Sequence, residues 1–240
     1  MSMKNVKLPS TAFNNDQLVF NGVAFNGTAI DYSYVTNFAA TAIGSVSTAS
    51  AAPSVIGTSA FKFNLVWDAT VTSATFQKYI SDAAQAIANF LSDNLTINLG
   101  ITNSGTGGGA GAGPSGGFYE TYSWVYAYLK STDTTFNYLP NATSIQGQST
   151  VAVWNAQLKL WGLAPTGALD GSATFATDIG AGSIFGVAIH ELTHAIGRIP
   201  YGPSPDVFDL FRYTAPGQML FSAAIPAPQA YFSIDGGVTN

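Results

Sequence analysis

The sequence predicts an α+β fold, because strand-like and helix-like periodicities alternate along one chain. Phe61-Lys62-Phe63-Asn64-Leu65-Val66-Trp67 alternates in the manner of a half-buried strand. From about Thr75 to Asp93, the residues Phe76, Ile80, Ala83, Ala84, Ile87, Phe90 and Leu91 recur at helical spacing and make one apolar stripe. Leu95 to Ile101 then alternates again as a second strand.

The remaining elements follow in order. Residues 1–57 are rich in Asn, Ala, Ser and Thr with weak periodicity, and read as an N-terminal arm or strand region packed on the same domain as residues 58–240. Gly105 to Gly117 reads as a flexible surface loop. A phosphate-binding role fails there, since no Lys-Ser/Thr follows. Phe118 to Lys130 is aromatic-rich and fits either a strand or a helix. Val151 to Leu163 reads as a helix ending near Gly162, and Gly171 to Thr177 as a short strand. A further helix starts near Ser183, with Phe185, Ile189, Leu192 and Ile196 toward the core. Gly197 suits a left-handed cap at its end, and Pro200, Pro203 and Pro205 forbid its continuation.

Composition narrows the function classes. A 25.0 kDa chain buries around 70–75% of its unfolded surface, so one domain with a full core needs no staples. There is no cysteine, which excludes thiolate metal sites, catalytic thiols and disulfides. Hydrophobic residues make up 47%, yet no stretch approaches the ~18 uninterrupted apolar residues of a membrane span. A net charge of −5 with eight basic residues and no basic cluster argues against nucleic acid. The N-terminus shows no apolar segment of a secretory signal.

Both histidines of the chain fall in one pentapeptide, His190-Glu191-Leu192-Thr193-His194, with one of its two glutamates between them. Four residues is just over one helical turn, so both imidazoles project from one helix face and can share a Zn²⁺. Glu191 is placed to take a proton from a metal-bound water. The alternative is a pair of inert surface histidines. A catalytic zinc takes three protein ligands, and without a third His or a Cys the last must be an oxygen donor. Ser204-Pro205 looks like an N-cap followed by Pro at the first helical position, which gives Asp206 a dipole role in the first turn. Asp209 lies among Val207, Phe208, Leu210 and Phe211, where its charge needs compensation, and is the favoured ligand. Its alternative is a pairing with Arg212. Tyr213, one helical turn beyond, is a candidate for oxyanion stabilisation, as is Tyr201. Glu120 is the remaining glutamate and a fallback oxygen donor.

The segment HELTHAIGR resembles the zincins, and His190, Glu191, His194 and Gly197 match the HExxHxxG of the metzincin clan. Pro200 stands where that clan places its third ligand, a departure that leaves the broader zincin resemblance. Met219 resembles the clan's methionine turn only loosely, and a plain turn explains it. HELTHAIGR with Asp209–Gly217 (DLFRYTAPG) and Ala230–Gly237 (AYFSIDGG) is similar to a little-characterised group of bacterial, typically exported, zincin-like metallopeptidases. The resemblance implies a zincin-like twisted mixed sheet with a backing helix, an HExxH helix and a substrate-aligning edge strand, for which Gly171–Thr177 is the candidate. It also implies a secreted zinc endopeptidase acting on peptides or proteins, and a monomer is the expected state. A degenerate zincin-like adhesion or binding module is the alternative.

Overall fold

The structure, a computed structural model, describes residues 18–20, 23–25, 28–29, 51–132, 136, 138–165, 167–199, 204–221 and 229–239. The strands are β1 (Leu18–Phe20), β2 (Val23–Phe25), β3 (Thr28–Ala29), β4 (Ser54–Gly57), β5 (Phe61–Trp67), β6 (Leu95–Asn103) and β7 (Ala110–Pro114). They continue with β8 (Gly117–Thr121), β9 (Thr150–Trp154), β10 (Gly171–Phe175), β11 (Arg212–Ala215), β12 (Gln218–Met219) and β13 (Tyr231–Phe232). The helices are α1 (Ala74–Ala88), α2 (Tyr122–Thr132), α3 (Asn155–Leu160) and α4 (Ile184–Ala195). No helix among the described residues is long and apolar enough to cross a membrane.

The described residues divide into two compact units, one of residues 51–117 and 154–198, the other of β1 to β3 with residues 118–153 and 199–239. Of the expected N-terminal arm, only β1 to β3 and residues 51–57 fall among the described residues.

The first unit is built on a five-stranded mixed sheet in the order β4-β5-β6-β10-β7. β5, β6 and β10 run parallel, while β4 and β7 are antiparallel to their neighbours. α1 packs over β4 and β5, α4 over β7 and β10, and the two helices pack on each other. This is an α+β fold with a mixed sheet against helices. Alternation puts Phe61, Phe63, Leu65 and Trp67 into the core with Ile97, Leu99 and Ile101. Side-chain size falls across the sheet: Trp67 is level with Ile101, which is level with Ala173, which is level with Ala112. In the next row Leu65 and Leu99 lead to Gly171. The sheet therefore thins under α4. A Cβ on Gly171 would stand 2.1 Å from the carbonyl oxygen of Ala195 in α4.

That thinning corrects the flexible-loop expectation for Gly105–Gly117. Its Ala-Gly-Ala-Gly-Pro portion is β7, the sheet edge, and β10 is an interior strand and not the expected edge. Main-chain ladder bonds need no side chains, and small residues are what a close helix requires. Residues 104–109 carry the chain from β6 to β7 across the end of β10. Asp178 holds that crossing by accepting from the Gly107 and Gly108 amides, both at 2.8 Å, and Thr177 Oγ1 donates to Gly105 O at 2.9 Å. The Gly107 and Gly108 amides hold the Asp178 carboxyl below its ordinary value.

α1 begins where Ser73 Oγ accepts from the Phe76 amide at 3.2 Å. It ends earlier than expected, at Ala88, and leaves Phe90 91% exposed beyond its stripe. Val151–Leu163 is a strand and then a helix: Val151, Ala152, Val153 and Trp154 are buried in β9 before α3 begins. A continuous apolar run reads equally as buried strand or buried helix, and β-branched valines tip it to strand. The Gln157 side chain then accepts from the Trp154 amide at 2.8 Å and starts α3.

In the second unit, β3-β8-β9 and β12-β11-β13 form three-stranded sheets and β1 pairs with β2. Phe118–Lys130 is both strand and helix, β8 running directly into α2. The helix expected from Ser204 does not form. Pro205 O accepts from the Ala152 amide at 2.9 Å, so the chain joins β9 instead of starting a helix. Asp206 and Asp209 then exchange carboxylate–amide bonds, and only a 3-10 turn at Asp209–Phe211 precedes β11. Short acidic side chains compete in this way with the helical backbone.

Candidate metal centre

α4 starts after Ser183 and buries Ile184, Ala188, Leu192 and Ala195. The stripe is rotated by about a residue from the expected one, and Phe185 is 41% exposed. Small residues at 188 and 195 let the helix lie close to the thinned sheet. The rotation puts Glu191 on the inner side, 7% exposed, while His190 is exposed and His194 half-buried.

The two rings meet edge to face, 4.4 Å between centroids, with Nε2 of His190 2.8 Å from Nε2 of His194. The hydrogen bonds assign the protons. His194 Nδ1–H donates to the carbonyl oxygen of Arg198, so its Nε2 carries a lone pair. His190 Nε2–H donates to that lone pair. Burial lowers the His194 pKa to about 4 and also lowers that of His190, with the Arg198 charge adding to both. Both rings are therefore neutral near neutral pH, the form that ligates metals. Burial raises the Glu191 carboxyl, and Arg198 opposes that rise.

The donor geometry can be tested against a zinc ion. Two nitrogens each ~2.0–2.1 Å from zinc at a tetrahedral angle stand about 3.3 Å apart. The observed separation of 2.8 Å is about 0.5 Å short of that value. The pair fits two positions of a zinc site. Among the described residues, no three His, Asp or Glu side chains gather into a metal-ligating group.

The other expected site residues belong to the second unit. Asp209 is buried, with Oδ1 2.6 Å from Arg212 Nη1 and Oδ2 accepting from the Asp206 amide at 3.2 Å. The pairing with Arg212 is thus realised. Asp206 is also buried, its Oδ1 accepting from the Asp209 amide at 2.8 Å. It is a turn-former and not a first-turn helix residue. Tyr213 lies on β11, so it is not one helical turn from Asp209. It borders a cavity of about 310 Å³ with Tyr138, Ile145, Gln146 and Met219. Burial raises its pKa, and Asp235 and Tyr231 add to the rise. Met219 ends a hairpin whose turn holds Gly217 at φ 71, which is the plain-turn reading. Tyr201 lies outside the described residues.

No family model, curated protein or solved structure matches this chain. Sequence reasoning passed over Arg198. Its Nε donates to Thr193 Oγ1 at 2.9 Å, its Nη2 to His190 O at 3.4 Å, and its own carbonyl receives the His194 ring. The one available signal was a basic residue directly after a helix-ending glycine.

Proposed function

We propose that this chain is a zinc-dependent endopeptidase of zincin-like fold, secreted and monomeric, acting on peptides or proteins. The observation that carries the reading is the convergence of two neutral imidazole Nε2 atoms, 2.8 Å apart, on the helix that buries Glu191 between them in sequence. His190 and His194 would hold the metal through those nitrogens. Zinc, when bound, supplies Lewis acidity that brings the pKa of water toward neutrality and polarises a scissile carbonyl.

Glu191 does the proton chemistry. A partly desolvated carboxylate with a raised pKa is a better base than an exposed one, and its Oε atoms accept a proton from the attacking water and return it to the leaving nitrogen. Peptide alignment falls to β7, which among the described residues has no strand on its outer side and packs against α4. The outward amides and carbonyls of such a strand match an extended main chain. Tyr213 as oxyanion donor and Asp209 as third ligand rest on the sequence alone.

A second reading, a zincin-like module that binds without catalysis, draws on the Asp209–Arg212 pairing, which occupies the favoured third ligand. One set of measurements separates the two. Elemental analysis is expected to find about one zinc per chain, lost in His190→Ala and His194→Ala. Glu191→Gln is expected to keep zinc and lose hydrolysis of casein. Asp209→Ala strips zinc if that carboxylate is a ligand and only destabilises the fold if Arg212 is its partner. Zinc that survives both histidine substitutions sinks the metal site, and bound zinc with no hydrolysis of any peptide favours the binding module.

A further inference from the structure

The turn that ends α4 is tied to the histidine pair through the carbonyl and the guanidinium of Arg198. Gly197 takes φ +107, a left-handed conformation, and a Cβ there would stand 2.8 Å from Trp154 Cδ1 and 2.9 Å from Gln157 Nε2. The chain can reverse at this point only as glycine. The reversal swings Arg198 back along the helix, where its amide donates to Thr193 O at 3.0 Å. Its carbonyl then faces Nδ1 of His194. Its guanidinium spans Thr193 Oγ1 and His190 O, and Thr193 Oγ1 itself donates to His190 O at 2.8 Å.

A neutral imidazole has two tautomers of similar energy, and only the one with an unprotonated Nε2 can ligate through that atom. A carbonyl oxygen accepts and never donates. Facing Nδ1, it therefore selects the Nδ1–H tautomer of His194 and leaves the Nε2 lone pair aimed at His190. The cation on Arg198 has a second effect of opposite sign, since a positive charge beside the site repels an incoming metal ion.

We infer that Arg198 is the positioning residue of this centre: its carbonyl fixes His194 as a ligand ready before metal arrives, and its guanidinium locks the turn that places that carbonyl. The inference rests on the metal-binding reading of the histidine pair. It assigns different histories to the two rings. His194 keeps one tautomer throughout. His190, whose Nε2–H now donates to His194, must move its proton to Nδ1 before it can ligate.

The test uses ¹⁵N-labelled full-length protein at neutral pH, stripped with chelator, and long-range ¹H–¹⁵N spectra of its two imidazoles. The expected result is Nδ1–H for His194 and Nε2–H for His190, with only His190 changing tautomer on addition of zinc. Two variants separate positioning from charge. Arg198→Gln removes the clamp and the cation, while Thr193→Val removes the clamp's hydroxyl and keeps the cation. Zinc competition against a chromophoric chelator is expected to show about 10–100-fold weaker binding in both. Far-UV circular dichroism verifies that each variant is folded. An Nε2–H tautomer of His194 in the metal-free wild type overturns the inference. So does zinc binding in Arg198→Gln and Thr193→Val that equals or exceeds the wild type. If the tautomers are as stated but zinc does not bind, the hydrogen-bonded arrangement of the two rings stands, and the metal-binding and peptidase readings fall.

Discussion

Glu120 is buried on β8, 1% exposed, and its Oε1 has no hydrogen-bond partner. Desolvation pushes its carboxyl up to about 8 from an ordinary 4.5, so the folded chain holds this proton at neutral pH. Between those two values the native state binds more protons than the unfolded one, and stability therefore falls as pH rises through the interval. The group's contribution is complete below about pH 4.5 and lost above about 8. Glu120→Gln, which mimics the protonated form, is expected to gain on the order of a few kcal/mol over wild type at alkaline pH and little in acid. Denaturant titrations on either side of the interval measure this. An equal difference on both sides would sink it. Single residues were legible only where a local rule specifies them. His190, Glu191 and His194 follow from helical pitch, but the burial of Glu191 depends on which way α4 rolls. Asp209 offered two roles of similar physical merit, and a linear sequence does not show where Arg212 points. Arg198 acts through its backbone carbonyl, a group that every residue carries and no motif marks.

At Gly171 the backbone of the sheet lies close against α4. Adding one methyl there places carbon 2.1 Å from Ala195 O and 3.0 Å from Ala195 Cβ, so the helix end must lift. Gly171→Ala is expected to cost about 1–3 kcal/mol of stability, the usual range for overpacking. Because His194 precedes Ala195, zinc affinity should fall with it. Gly109, with nothing within 4 Å of its added Cβ, is the control for a general effect of losing glycine. Equal behaviour of the two variants in thermal unfolding would show that the close approach is unimportant. Elements with a clear period can be read from the sequence, β5 to the residue and β6 and α1 in kind and start, although α1 stops at Ala88, short of the expected Asp93. β7 cannot, because Ala and Gly carry no pattern of their own. Their role appears only beside Ala173, Gly171 and the helix above. Phe185 misled for a related reason: a helix with small residues on its buried side can leave its largest apolar side chain outside.

At the scale of the molecule, only 9% of residues are charged and the formal net charge is −5, with a pI of about 4.6. So few charges give weak colloidal repulsion, and it vanishes at the isoelectric point. Light scattering is expected to show a solubility minimum near pH 4.6, and a heparin column should not retain the protein at neutral pH. Retention there would reveal a basic surface that the charge count does not predict. The α+β class is legible in the interleaving of two periodicities, whereas the strand order is not, because it depends on pairings between distant residues. The crossing between β6 and β7 shows what that distance entails during synthesis. Six residues separate these strands in sequence, but the strand that belongs between them begins 57 positions after Pro114, at Gly171. A ribosome adding about 5–20 residues per second needs roughly 3–11 s to deliver it. For that interval β6 and β7 each expose a ladder whose nearest partner is the other, and a direct hairpin between them is the competing product. The nascent chain therefore pays for its mixed sheet in time, with a window in which a chaperone, or a second nascent chain, can reach the same edges first.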